Sequence, residues 1–200
     1  MFICIECGEK NKILFSSKQT VLSCKSCLKK MDKYFEVNDT LLFIDILLLK
    51  KEVFRHLIFN RKPTKIIPFY FLSRIAFLAR YHFLFSNNLK FVYLIYFLIL
   101  SQSFEIVSTY VLFLVCKNKI QIGLLWNTIV QTSFYYLFVF VMIVWGYSEI
   151  EYYILVEFLV LLSNAIGLSC VTDNSIEAMF SFLSAFKALN YLICSYLLNK

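Results

Sequence analysis

Four cysteines open this chain in two Cys-x-x-Cys pairs, Cys4/Cys7 and Cys24/Cys27, with 16 residues between the pairs. Thiolates are strong ligands for borderline-soft metals, and this spacing falls inside the four-cysteine zinc pattern. Four sulfurs at ~2.3 Å complete a tetrahedron around one Zn²⁺ and leave no open coordination position, so such an ion is structural. Gly8 follows the first pair, where a residue without a Cβ lets the backbone turn around a metal. Leu28 follows the second, a less typical choice. Two other chemistries compete: disulfides, or a redox-active dithiol. A redox Cys-x-x-Cys usually comes once and beside a βαβ pattern, and neither holds here.

A second group of chemically capable residues lies far down the chain. Glu105, Glu157 and Lys187 fall inside long apolar segments, with Asn127, Gln131, Asn164 and Asn190 as uncharged polar points. Ionisable groups are expensive in lipid and face a bundle interior or a cavity. They define a candidate intramembrane polar pocket for a lipid headgroup, or else they pair between helices and hold the bundle together. Glu105 and Lys187 come out at similar depths, so a pair or a shared pocket between them is expected. A third group is Asp45, Lys50, Arg55 and His56, on an apolar helix expected at the membrane interface.

Signatures of catalysis are sparse. Two histidines stand in the whole chain, and neither begins the His-x-x-x-x-Asp of glycerolipid acyltransferases. Asp-His-His-Cys, Gly-x-Ser-x-Gly, a phosphate-cradling glycine loop and His-Glu-x-x-His are all missing from the sequence. The expectation is a non-enzymatic protein, with a membrane enzyme or thiol redox protein acting on a lipid as the alternative.

These groups need elements to hold them. Of 200 residues, 60% are hydrophobic and 16% charged, which sets an integral membrane protein. Residues 1–38 read as a zinc ribbon, with strands expected at Lys12 to Phe15, Gln19 to Ser23 and Lys33 to Val37, and a turn at Ser16-Ser17-Lys18. So small a head needs a staple. Asn38, Asp39 and Thr40 start an amphipathic helix over 39–60. Along 41–59, Asp45, Glu52 and His56 share one helical face, and Asp45 is expected to pair with a basic residue of the ribbon or else to mark a site. Residues 61–90 form a basic linker and then a second interfacial helix at 66–86, because Arg74 and Arg80 would be costly in mid-bilayer. Four spans follow in 91–198: 91–116, 120–146, 152–172 and 178–198. The expected fold class is therefore a membrane all-α protein, a four-helix transmembrane bundle with an N-terminal zinc ribbon and interfacial amphipathic helices.

Charge suggests orientation. Residues 1–90 hold 16 of the 20 Lys/Arg and 7 of the 13 Asp/Glu, a net +9, leaving −2 for the rest. A basic face against anionic lipid explains this better than nucleic acid. The positive-inside rule puts the head in the cytosol, and four spans return the C-terminus there. Lys117 and Lys119 would then be lumenal, and Glu149 and Glu151 cytosolic, against the rule. The first ten residues lack the apolar core of a signal peptide.

The stretch from Cys4 to Asn60 resembles the Arv-like family, named from "ACAT-related protein required for viability". The resemblance rests on Cys4-Ile-Glu-Cys7-Gly8, Cys24-Lys-Ser-Cys27, Asp32-Lys33-Tyr34-Phe-Glu36, the run Leu41 to Lys50 with Asp45, and Phe54-Arg55-His56-Leu57-Ile-Phe-Asn60. Asn38 stands where the family usually has aspartate, and Phe54 where tyrosine is usual. The resemblance implies an endoplasmic-reticulum membrane protein with one structural zinc in its head. It also implies roles in sterol and sphingolipid homeostasis, lipid transport and support of glycosylphosphatidylinositol (GPI) anchor synthesis. The implied partners are sterols, sphingolipids or GPI precursors, with GPI-synthesis enzymes beside them.

Overall fold

The computed structural model describes residues 2–16, 20–61, 67–85, 91–116 and 120–198. The chain divides into two compact units, Met1–Thr64 and Lys65–Lys200.

The first unit is built on two hairpins, each with a Cys-x-x-Cys at its tip. β1 (Phe2–Ile3) pairs antiparallel with β2 (Lys10–Asn11) around Cys4 and Cys7. Single bridges join Phe15 to Val21 and Ser23 to Lys30, the latter closing the hairpin around Cys24 and Cys27. The expected segments 12–15 and 19–23 do pair, through the Phe15–Val21 bridge and the Leu22 N–H to the Leu14 carbonyl at 3.0 Å, but the regular strands lie earlier, and Gln19 lies outside the described residues. Residues 17–18 of the expected turn lie outside the described residues. The expected strand at 33–37 is a 3₁₀ turn over Lys33–Phe35. Asp32 decides this, because its carboxylate accepts the Tyr34 N–H at 3.0 Å and caps a helical turn.

The helix expected over 41–59 is broken. α1 covers Asp39–Leu47 and is capped by Asn38, which accepts the Thr40 N–H at 3.3 Å. Leu49 then takes a left-handed φ of 55°. α2 covers Lys51–Arg55 and opens into one π-helical turn at His56–Asn60. Asp45 and His56 are both buried, yet the break gives them different partners: Asp45 accepts from the Tyr34 hydroxyl, and His56 lies against Asp32.

The second unit is helical: α3 Ile67–Phe85, α4 Phe91–Val115, α5 Ile122–Thr132, α6 Phe138–Val144, α7 Ile150–Thr172 and α8 Ile176–Leu198. α5 and α6 form one rod through a 3₁₀ segment at Ser133–Leu137. Among the described residues, four helical stretches are long and apolar enough to cross a membrane: Leu98–Val115, Ile122–Val144, Ile150–Thr172 and Ile176–Ile193. Residues 62–65 of the basic linker and Lys117 and Lys119 lie outside the described residues.

α5 and α7 pack closely. A Cβ on Gly167 would lie 2.5 Å from the Thr132 methyl, and the Ser163 hydroxyl donates to the Thr132 carbonyl at 2.6 Å. Small residues four apart let two backbones meet, and the hydroxyl satisfies a carbonyl where the helical ladder tightens.

Candidate metal centre and intramembrane polar cluster

The two hairpin tips repeat one geometry. The Gly8 N–H donates to the Cys4 carbonyl at 2.9 Å, and the Leu28 N–H to the Cys24 carbonyl at 3.0 Å. Gly8 has φ 82° and Leu28 has φ 61°. Leu28 thus takes the left-handed turn that glycine makes in the first tip, at a steric cost glycine avoids. The two tips aim four sulfurs at one point, and all four lie within 4.8 Å of one another. Cys4 and Cys27 Sγ are 3.7 Å apart, and Cys7 and Cys24 Sγ 3.6 Å. A tetrahedron with metal–sulfur bonds of ~2.3 Å has edges of about 3.8 Å. A disulfide bond is ~2.05 Å, so these are four separate thiols spaced as ligands for a single ion. Burial pushes the Cys4 thiol up to about 12. Burial also opposes ionising Cys24, yet the N–H groups of Cys27 and Ser26 outweigh it and draw that thiol down to about 7.

The other expected site residues of this unit brace the tips. Arg55 donates to the Ile5 and Glu6 carbonyls at 2.8 and 2.6 Å, and its guanidinium would lie 3.4 Å from a Cβ on Gly8. It therefore holds the first tip, and is not a free surface cation. Asp32, fully buried, accepts from Asn60 Nδ2 at 2.7 Å and lies 2.8 Å from His56 Nδ1. A π turn brings His56 and Asn60 to the same carboxylate. Asn60 also pairs with both backbone groups of Ile3.

Asp45 has two partners. It accepts from the Tyr34 hydroxyl at 2.8 Å and forms an ion pair with Lys50 at 2.7 Å. The basic partner comes from the turn after α1 rather than from the ribbon as expected, and the ribbon contributes Tyr34. Burial works to raise the Asp45 carboxyl, but Lys50 and Tyr34 overcome it and hold it below its ordinary value.

In the helical unit the polar residues form two units of like design. Glu105 pairs with Arg74, and Glu157 pairs with Lys187. A tyrosine hydroxyl bridges each pair. Tyr70 donates to Glu105 at 2.6 Å and accepts from Arg74 at 2.9 Å. Tyr136 donates to Glu157 at 3.3 Å and accepts from Lys187 at 3.0 Å. The Tyr136 ring joins them, with the Arg74 guanidinium 5.7 Å and the Lys187 ammonium 5.5 Å from its centre. Glu105 and Lys187 are thus not each other's partner, although both line one cavity of about 40 Å³ with Arg74, Ser101, Asn164 and Asn190.

The sequence reading missed Arg74, Tyr70 and Tyr136. Charge balance could have found Arg74: two buried carboxylates need two cations, and Lys187 is one. The other has to come from the segment read as interfacial.

These features define a multi-pass helical membrane protein with a head whose four cysteines are arranged to hold a metal ion. The Arv1-like family profile matches residues 3–105, just over half of the chain, and the chain belongs to that family. It is similar to Protein ARV 2 of Arabidopsis thaliana, 27% identical across 95% of this chain and 92% of that protein. Protein ARV1 of Candida albicans is 43% identical over 63 residues, 29% of this chain and 21% of that protein. Protein ARV1 of Homo sapiens is 36% identical over 61 residues, 28% of this chain and 22% of that protein. No solved structure matches.

Proposed function

We propose that this protein is a non-enzymatic component of the endoplasmic-reticulum membrane that serves sterol and sphingolipid homeostasis, lipid transport and GPI-anchor synthesis. It binds, moves or presents lipid, or scaffolds enzymes that use it. One zinc ion held by Cys4, Cys7, Cys24 and Cys27 fastens the head, which faces the cytosol. Zinc would draw the thiols into their thiolate form and close the head without offering a reactive position. Within residues 39–60, α1 with its exposed Leu41, Phe43 and Ile44, and Leu48 just beyond its end, is the part that meets the membrane interface.

The observation that carries the lipid reading is the cavity beside the two charge pairs. Its 40 Å³ is far below the ~300–1,000 Å³ of enclosing ligand pockets. It suits the polar end of a lipid whose apolar body stays among the helices.

Photo-crosslinkable sterol, ceramide and GPI precursor should be applied to the purified full chain. Crosslinks are expected on peptides containing Ser101, Glu105 or Lys187. The double variant Glu157→Gln with Lys187→Met should keep its fold and lose them. A folded variant with unchanged crosslinks overturns the pocket and moves lipid contact to α1.

A further inference from the structure

We propose that α3 crosses the bilayer as a fifth span, its outward face at Phe69, Leu72 and Ile75 packed against lipid hydrocarbon. The inference stands whichever lipid the protein handles.

An interfacial helix lies with an apolar face in lipid and a polar face toward water. α3 is arranged the other way. Tyr70, Ser73, Arg74, Phe77 and Leu78 are buried among the helices. The outward residues Phe69, Leu72 and Ile75 are 63%, 57% and 43% exposed. A face of that kind has water as a poor partner and hydrocarbon as a good one.

Its contacts run the length of the α5–α6 rod. The Tyr70 and Phe71 rings sit 6.3 and 6.5 Å from Trp126, near the start of α5. Phe77 meets Tyr136 midway, with ring centres 5.2 Å apart. Arg80 donates to the Tyr147 carbonyl at 3.3 Å, just beyond the end of α6. Against α4 the order reverses: Tyr70 meets Glu105, and Arg74 meets the Ser101 carbonyl at 3.2 Å. α3 is therefore parallel to α5–α6 and antiparallel to α4. At ~1.5 Å per residue its 19 residues reach roughly 28 Å, close to the ~30 Å hydrocarbon core. An unpaired arginine at mid-span costs ~2.5–3.5 kcal/mol on insertion scales, but Arg74 carries Glu105 with it.

A fifth span changes the sidedness of every loop. α3 begins where α4 ends and α5 begins. Residues 1–66, with 13 Lys/Arg against 7 Asp/Glu, then emerge on the same side as Lys117 and Lys119. Glu149, Glu151 and the C-terminus emerge on the other. The two loops that oppose the positive-inside rule with four spans obey it with five.

The test is glycosylation mapping of the full chain made in endoplasmic-reticulum microsomes. Asn-Xaa-Thr acceptor tags are placed before Met1, after Lys200 or within residues 117–119. The expected result is a glycosidase-sensitive mass shift for the C-terminal tag and none for the other two. A shift for one terminal tag only still upholds the crossing if it is the N-terminal one, with the orientation reversed. Shifts at both termini overturn the proposal, and so does no shift at either terminus with a shift at 117–119.

Discussion

Asn60 pairs with Ile3 as a neighbouring strand would. Its Oδ1 accepts the Ile3 N–H at 2.8 Å, and its Nδ2 donates to the Ile3 carbonyl at 2.8 Å, across 57 residues. One side chain at the end of the helical segment thus satisfies the backbone of the strand that leads into Cys4. Its second amide proton goes to Asp32, so every polar atom of the side chain is used.

This relationship predicts an unusual ranking. Asn60→Ala leaves two buried backbone groups of Ile3 unpaired, at about 1–3 kcal/mol each. Asn60→Asp keeps the shape but sets a carboxylate against Asp32 and the Ile3 carbonyl. It should destabilise the protein at least as much as alanine does, as read by denaturant unfolding with a probe in the head. An aspartate variant as stable as wild type would mean that the amide is not held in this orientation.

The hairpin tips predict a stabilising change. Leu28 sits at φ 61° and is 80% exposed, so its side chain contributes little packing to offset the strain. Leu28→Gly should raise stability by ~0.5–1 kcal/mol. Gly8→Leu should lower it, because φ is 82° and Arg55 lies beside the added Cβ. Melting curves of the metal-loaded protein should move in opposite directions for the two variants.

The paired charges predict which double-mutant cycles couple. Glu157 with Lys187, and Arg74 with Glu105, should each show coupling of ~1–3 kcal/mol, because removing one member strands the other. Glu105 with Lys187 should be nearly additive. Strong coupling in that third cycle and none in the first two would point to the exchanged pairing.

Asp45 predicts a pH dependence. Its folded value lies below the ordinary one, so its contribution is full above an unfolded pKa of ~3.9 and is lost as pH falls through the folded value. The stability difference between wild type and Asp45→Asn should be constant from neutral pH down to about 5 and shrink below about 4. A difference that grows on acidification contradicts the Lys50 and Tyr34 contacts. Asp45→Leu should cost more than Asp45→Asn, because it leaves the buried Tyr34 hydroxyl without an acceptor.

Much of this was written in the sequence where residue type fixes chemistry. Cys4, Cys7, Cys24 and Cys27 could be read as one ligand set from spacing alone, and the structure brings their sulfurs within 4.8 Å. The long apolar runs gave four candidate spans, because a bilayer demands length and hydropathy and little else. What escaped was decided by partners remote in sequence. Arg74 reads as a surface cation until Glu105 and Tyr70 are set beside it. Arg55 reads as a cation of an interfacial helix until the carbonyls of the first tip receive it. The helix over 41–59 carried no glycine or proline to mark its break. Leu49 breaks it in the left-handed region, with the Asp45 carbonyl accepting the Lys50 N–H at 3.1 Å.

The central claim is that four thiols close around one zinc ion and so hold the head together. Zinc X-ray absorption on the purified full chain, with metal content by mass spectrometry, tests it most directly. The account predicts one zinc per chain, bound by four sulfurs at ~2.3 Å, and loss of both metal and head stability in Cys24→Ser. Protein without zinc whose four thiols are joined as disulfides would contradict it.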